Sequence, residues 1–208
     1  MRRDKYDAII CDLGNVLINF DHRIAVRKIL SRTTKSEEDI YNLFFDSGLT
    51  GLYEEGKIDS AEFFRRVKEH LELSMEQNDF FSIWNDIFFE VPLNKKMHDF
   101  LRKAKSDYKI VMLSNLNVTH FEFLKKRMDI FKDFDALILS YEIGYRKPAH
   151  EIYEKALESV GTVPEKSFYI DDRKDLVEAA GKLGIKGVVF DGEGSFEKIL
   201  KELGCRAI

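Results

Sequence analysis

The sequence predicts an α/β protein in which a parallel-sheet core is interrupted, just after its first strand, by an all-helical block. Three observations carry this. Five short apolar runs recur with helical patterns between them, the signature of strands buried on both faces of a parallel sheet. Four of the runs end on polar residues: Asp12, Ser114, Ser140, and Asp171 followed by Asp172. From about residue 22 to residue 90 there are several helix starts but no strand run.

In chain order, "YDAIICD" (6–12) reads as the first buried strand. The helical block follows, with Ser36/Asp39, Asp59/Glu62 and Ser74/Gln77 spaced as capping boxes. Phe63, Phe64, Val67 and Leu71 then share one helical face, and Phe80, Phe81, Trp84 and Phe88 another. These aromatics read as the core of a small helical bundle. After Pro92, "NKKMHDFLRKAK" is helical, and "YKIVMLS" (108–114) and "DALILS" (135–140) are strands. "EIYEKALESVG" ends at Gly161 and "DLVEAAGKLG" at Gly184, where glycine stops a helix. Between and after them lie the strands "SFYID" (167–171) and "KGVVF" (186–190).

The 208 residues suffice for one domain or for a core with an insertion. Hydrophobic residues make up 44% and charged residues 34%, an ordinary globular balance. A net charge of −4 gives no electrostatic case for nucleic acid as a partner. No stretch has the apolar length to span a bilayer, and "RR" at Arg2 and Arg3 lacks the apolar run of a signal peptide. Cys11 and Cys205 are far apart without metal-ligand spacing, so reduced thiols in a cytoplasm are expected. His22, His70, His98, His120 and His150 show no metal spacing and read mostly as surface or helix-face residues. Oligomeric state leaves no mark in the sequence.

In open α/β sheets ligands bind outside the carboxyl ends of the strands, so the polar strand ends point to one site. Four stretches carry candidate chemistry: "DLGNV" with Asp12, "LSNLN" with Ser114 and Asn115, "YRKP" with Lys147, and "IDDRKD" with Asp171, Asp172 and Asp175. In this order and placement they resemble the haloacid dehalogenase (HAD) superfamily over essentially the whole chain. The first motif is similar to that of a group of bacterial sugar-phosphate, glucose-1-phosphatase-like phosphatases. The resemblance implies a Rossmann-like core formed by residues 1–21 and 91–208, with a helical cap domain at 22–90. It implies a magnesium-dependent phosphatase acting on small phosphorylated metabolites. Asp12 would attack phosphorus to form an aspartyl-phosphate. Ser114 would donate its hydroxyl to a phosphoryl oxygen with Asn115 nearby, and Lys147 would neutralise the charge shared by Asp12 and phosphate. Magnesium, which prefers oxygen ligands, would be held by Asp12, the Gly14 carbonyl and Asp172, with Asp171 or Asp175 acting directly or through water. In the cap, "GLYEEGKIDSAEFF" resembles the family's substrate-facing segment, while Glu54 and Glu55 read equally well as a solvated turn.

Gly14 stands where the family's usual phosphatases carry a proton-donating acid, a group worth roughly 10²–10⁴ in rate. Its absence favours leaving groups that depart without help, sugar 1-phosphates among them, or calls for a substitute acid from Asp21 or His22. Two other readings stay open. A metal-independent 2-haloacid dehalogenase also lacks that acid, but a metal-free site has little reason to gather mutually repelling carboxylates. A non-catalytic regulatory or binding protein could keep the fold, since fold does not fix function.

Overall fold

The computed structural model describes residues 5–204, so Arg2, Arg3 and Cys205 lie outside the described residues. The chain opens with β1 (Ala8–Cys11), then forms β2 (Asn19–Phe20). Five helices follow: α1 (His22–Leu30), α2 (Glu37–Tyr41), α3 (Leu49–Glu54), α4 (Ser60–Leu71) and α5 (Gln77–Asn85), with a π-helical turn, Asn42–Asp46, before α3. The two-residue β3 (Phe88–Phe89) leads into α6 (Pro92–Ala104), β4 (Lys109–Ser114), α7 (Val118–Arg127), β5 (Ala136–Leu139) and the short α8 (Ser140–Ile143). The chain ends with α9 (His150–Val160), β6 (Ser167–Asp171), α10 (Lys174–Lys182), β7 (Lys186–Val189) and α11 (Glu193–Glu202).

β1, β4, β5, β6 and β7 form one parallel sheet in the order β5-β4-β1-β6-β7. The alternation of strand side chains feeds two apolar layers. Ile9, Cys11, Ile110, Met112, Phe168 and Ile170 pack on α6, α7 and α11, whereas Ile10, Val111, Leu113 and Tyr169 pack on α9 and α10. Both faces are therefore covered, which is why these strands read as unbroken apolar runs rather than as alternating ones. The chain leaves β1 toward β4 on one side and returns to β6 on the other, so the strand order reverses between β1 and β6. That reversal opens the crevice in which such sheets bind ligands.

The helices from α1 to α5 bury a separate apolar cluster around Phe63, Phe80, Trp84 and Tyr53. Asp59 caps α4 by accepting from the Glu62 amide at 2.8 Å. Ser36 and Asp39 cap α2 reciprocally, at 3.1 and 2.9 Å. Ser74 departs from the expected pattern: its hydroxyl donates to the Arg32 carbonyl at 3.0 Å, and α5 begins after Glu76 instead. Phe88 also lies off the helix face that its spacing predicts. It sits in β3, which pairs antiparallel with β2 and joins the two chain passages between helices and sheet. No described helix is long and apolar enough to cross a membrane.

Candidate active site

Register explains why acids separated by most of the chain meet. Cys11 pairs with Ile170 across β1 and β6, and the Asp12 amide donates to the Ile170 carbonyl at 2.9 Å. Asp12 and Asp171 therefore stand side by side at neighbouring strand ends. Lys147 Nζ fits between them, 2.9 Å from Asp12 Oδ1 and 2.7 Å from Asp171 Oδ2, with its side chain 1% exposed. A carboxylate oxygen from each of Asp12, Asp171 and Asp172 lies within 4.8 Å of the other two, a set of hard oxygen donors that fits a divalent cation. Burial pushes the Asp12 carboxyl up to about 7 against the pull of Lys147, which marks it as a charge short of positive partners. Burial also disfavours the Lys147 ammonium, but the two flanking carboxylates outweigh that and hold it charged.

Each of these groups is itself held. Asn115 clamps the Lys147 backbone, donating from Nδ2 to its carbonyl at 3.0 Å and accepting from its amide at 2.7 Å. Asp171 is fully buried, and its Oδ2 accepts from the Tyr169 hydroxyl as well as from Lys147. Its Oδ1 accepts from the Arg173 amide at 2.9 Å. Asn15 adopts the left-handed conformation (φ 53°) that asparagine tolerates, and its Nδ2 donates to Asp172 Oδ2 at 2.9 Å. Ser114 closes β4 and lines the same cavity of about 420 Å³ as Asp12, Gly14, Asn115, Lys147 and Asp172. Asp175 stays apart, paired with Arg173 on the surface. Ser140, the remaining polar strand end, also leaves the site: its buried hydroxyl accepts from the Leu116 amide at 2.9 Å and donates to the Glu54 carbonyl at 2.6 Å.

Gly14 needs no unusual backbone angle. A Cβ there would lie 2.7 Å from Phe20 Cε1, so the glycine makes room for the Phe20 ring. Phe20 packs edge-on against His22, with centroids 5.0 Å apart. Asp21 is taken up as the α1 N-cap and in a pair with Arg23, whereas His22 lines the cavity. Burial drops the His22 imidazole to about 4 and that of His120 to about 3, so both are neutral at pH 7. His120 stacks on Trp84 at 5.3 Å and bonds to the Trp84 carbonyl at 3.1 Å, tying α7 to α5. Both histidines sit on helices, His22 on α1 and His120 on α7, with their rings turned inward around Trp84.

Sequence reasoning overlooked Asn15, Phe20, Tyr169 and Arg146. Only Asn15 carried a local signal, an asparagine directly after a glycine at a strand end. Glu54, half assigned to a solvated turn, lines the cavity and pairs with Arg146 Nη1 at 2.9 Å.

Residues 6–184 match the haloacid dehalogenase-like hydrolase family model. The chain is 26% identical over 186 residues to D-ribitol-5-phosphate phosphatase of Bacteroides thetaiotaomicron, covering 86% of this chain and 88% of that one. It is 22% identical over 202 residues to a sesquiterpene phosphatase of Aspergillus oryzae, covering 96% and 98%. Among solved structures, a HAD family enzyme from B. thetaiotaomicron in complex with magnesium and inorganic phosphate superposes with a TM-score of 0.80 at 26% identity, over 93% of this chain and 98% of that one.

Proposed function

Because the chain belongs to the haloacid dehalogenase-like hydrolases, we propose that it is a magnesium-dependent phosphatase of small phosphorylated metabolites. The observation that carries this reading is the Asp12–Lys147–Asp171 row beside Asp172 at the mouth of the β1/β6 crevice. Asp12, Asp172 and the Gly14 carbonyl would hold magnesium. Asp171 would complete the set through water, since both of its oxygens already accept hydrogen bonds. Bound there, the cation screens the charge that Asp12 and phosphate would otherwise share.

Asp12 attacks phosphorus as the P–O bond to the substrate breaks, the leaving alkoxide takes a proton from water, and a second water then hydrolyses the aspartyl-phosphate to release phosphate. Ser114 donates to a phosphoryl oxygen. Lys147, kept charged between its two carboxylates, offsets the negative charge of the transition state. Asn115 acts by fixing Lys147. The helices of residues 22–90, with their own apolar cluster, act as a cap domain over the site. Three gathered carboxylates weigh against a metal-free dehalogenase. The free, buried Cys11 thiol suits a reducing cytoplasm.

A turnover assay on p-nitrophenyl phosphate tests the reading. EDTA is expected to abolish hydrolysis, and added magnesium to restore it. Asp172→Asn, which removes a charged ligand, is expected to raise the magnesium concentration needed for half-maximal turnover by at least about 10- to 100-fold, the scale of losing even a supporting group. Full turnover in EDTA would sink the proposal.

Phe20 decides how the missing acid can be tested. Without an acid at position 14, readily departing groups such as p-nitrophenolate and anomeric sugar hydroxyls are expected to be released much faster than primary alkoxides. Gly14→Asp alone collides with the Phe20 ring and is expected to gain nothing. Combined with Phe20→Ala, it is expected to speed alkyl phosphate hydrolysis by up to about 10²-fold. An equal gain on p-nitrophenyl phosphate would mean that the new carboxylate is not acting as a proton donor.

A further inference from the structure

The helical insert lines part of the cavity that also holds Asp12, and its polar groups there are His22 of α1 and Thr50 and Glu54 of α3. Thr50 and Glu54 are four residues apart, so their side chains stack on the same face, with Gly51 between them. Gly51 has a use there: a Cβ would lie 3.1 Å from the Arg146 guanidinium carbon, so the bare backbone lets Arg146 lie across the helix toward Glu54. Arg146 comes from the loop that carries Lys147, 92 residues from Glu54, so the pair joins insert to core. Glu55 adds a weaker contact at 3.8 Å.

This edge is under-satisfied. Thr50 Oγ1 and His22 Nδ1 are buried without a hydrogen-bond partner among the described residues, and both residues line the cavity. Glu54 Oε2 accepts from Arg146, and burial holds the Glu54 carboxyl above its ordinary value despite that partner. A buried polar group without a partner is costly, so such groups mark where a ligand's own polar atoms belong. Beside them, the rings of Phe45 and His22 meet edge to face at 5.1 Å, and Phe45 is 45% exposed where it lines the cavity. An aromatic wall with a donor–acceptor edge matches a chain or ring of carbons bearing several hydroxyls: its C–H groups lie on the rings, and its hydroxyls meet the edge. An apolar alcohol would leave Thr50 Oγ1 and His22 Nδ1 stranded.

We propose that Thr50, Glu54 and Arg146, with the ring wall of His22 and Phe45, form a hydroxyl-reading subsite that commits the site to phosphate monoesters of polyhydroxylated alcohols. The proposal rests on the phosphatase reading and names its substrate class. Vicinal hydroxyls suit the Glu54–Arg146 pair, whose carboxylate accepts while its guanidinium donates. Because the pair spans insert and core, the subsite is whole only when the helices are seated on the sheet.

The test compares kcat/KM for four probes: ribitol 5-phosphate (open-chain), glucose 1-phosphate (cyclic), farnesyl phosphate (apolar) and p-nitrophenyl phosphate as reference. The wild-type chain is expected to prefer at least one hydroxylated probe over farnesyl phosphate by tenfold or more. Thr50→Val, which keeps shape while removing the hydroxyl, and Glu54→Gln are each expected to lower the ratio of hydroxylated probe to reference by about tenfold. Thermal melting shows whether each variant folds. Should Glu54→Gln unfold, the isosteric Thr50→Val decides. Preference for farnesyl phosphate, or an equal change on hydroxylated and reference probes, overturns the subsite while leaving the phosphatase standing. A wild-type chain that hydrolyses none of the four overturns both.

Discussion

Asp12→Asn is expected to lower kcat on p-nitrophenyl phosphate by about 10⁴-fold or more, the scale of losing a catalytic nucleophile. The amide is nearly isosteric with the carboxylate but is a poor nucleophile and cannot form an acyl-phosphate. Its effect on folding should be small or favourable in the absence of metal. Burial already pushes the Asp12 carboxyl up to about 7, so a neutral group suits that position. Loss of turnover with an unchanged or raised melting temperature in EDTA is therefore the expected pattern. The rise in melting temperature caused by magnesium should shrink in the variant, because one charged ligand is gone. A variant that kept a tenth of wild-type turnover would remove Asp12 from the nucleophile role.

The second large effect is expected at Lys147, and here stability and rate fall together. Its ammonium lies between Asp12 and Asp171, both within 3 Å, and almost none of it reaches solvent. Lys147→Met leaves two buried carboxylates facing each other without their shared partner, a loss worth about 3–5 kcal/mol for a broken buried pair. The rate is expected to fall by about 10²–10³-fold, as when a donor to transition-state charge is removed. Urea titration in EDTA measures the first effect and turnover with magnesium the second. Adding Asp171→Asn to Lys147→Met is expected to recover much of the stability and none of the rate. If stability did not recover, the destabilisation would come from lost packing of the lysine stem and not from stranded charge. The Asn115 clamp gives the same account a softer probe, because it holds the Lys147 backbone without touching the ammonium.

The relation of Gly14 to its surroundings shows how far local reading reaches. Gly14, two residues after Asp12, reads from sequence as a missing proton donor. That the space is taken by the ring of Phe20, six residues on, follows from the turn after β1 in which Gly14 and Ile18 bridge, and no residue spacing announces it. Any side chain placed at position 14 therefore has to displace the Phe20 ring. The same limit applies to Asp175. As the acid nearest Asp171 and Asp172 in sequence it was a fair candidate ligand, but the start of α10 turns it to Arg173 and to solvent.

What the sequence by itself determined is the set of strands, their polar ends, the helical insert and the identities of Asp12, Ser114, Lys147, Asp171 and Asp172. Those features are written locally: apolar runs of strand length, helix caps, and polar residues at the ends of runs. The tertiary structure alone decided which strand ends became neighbours. β1 pairs with β6, and that pairing sets Asp12 against Asp171 and leaves Lys147 a slot between them. It also decided that Glu54 meets Arg146, that Asn15 reaches Asp172, and that His22 and His120 are buried around Trp84. Each of these contacts joins segments far apart along the chain, and they form only once sheet register and helix seating bring those segments together, so no local pattern of residues encodes them.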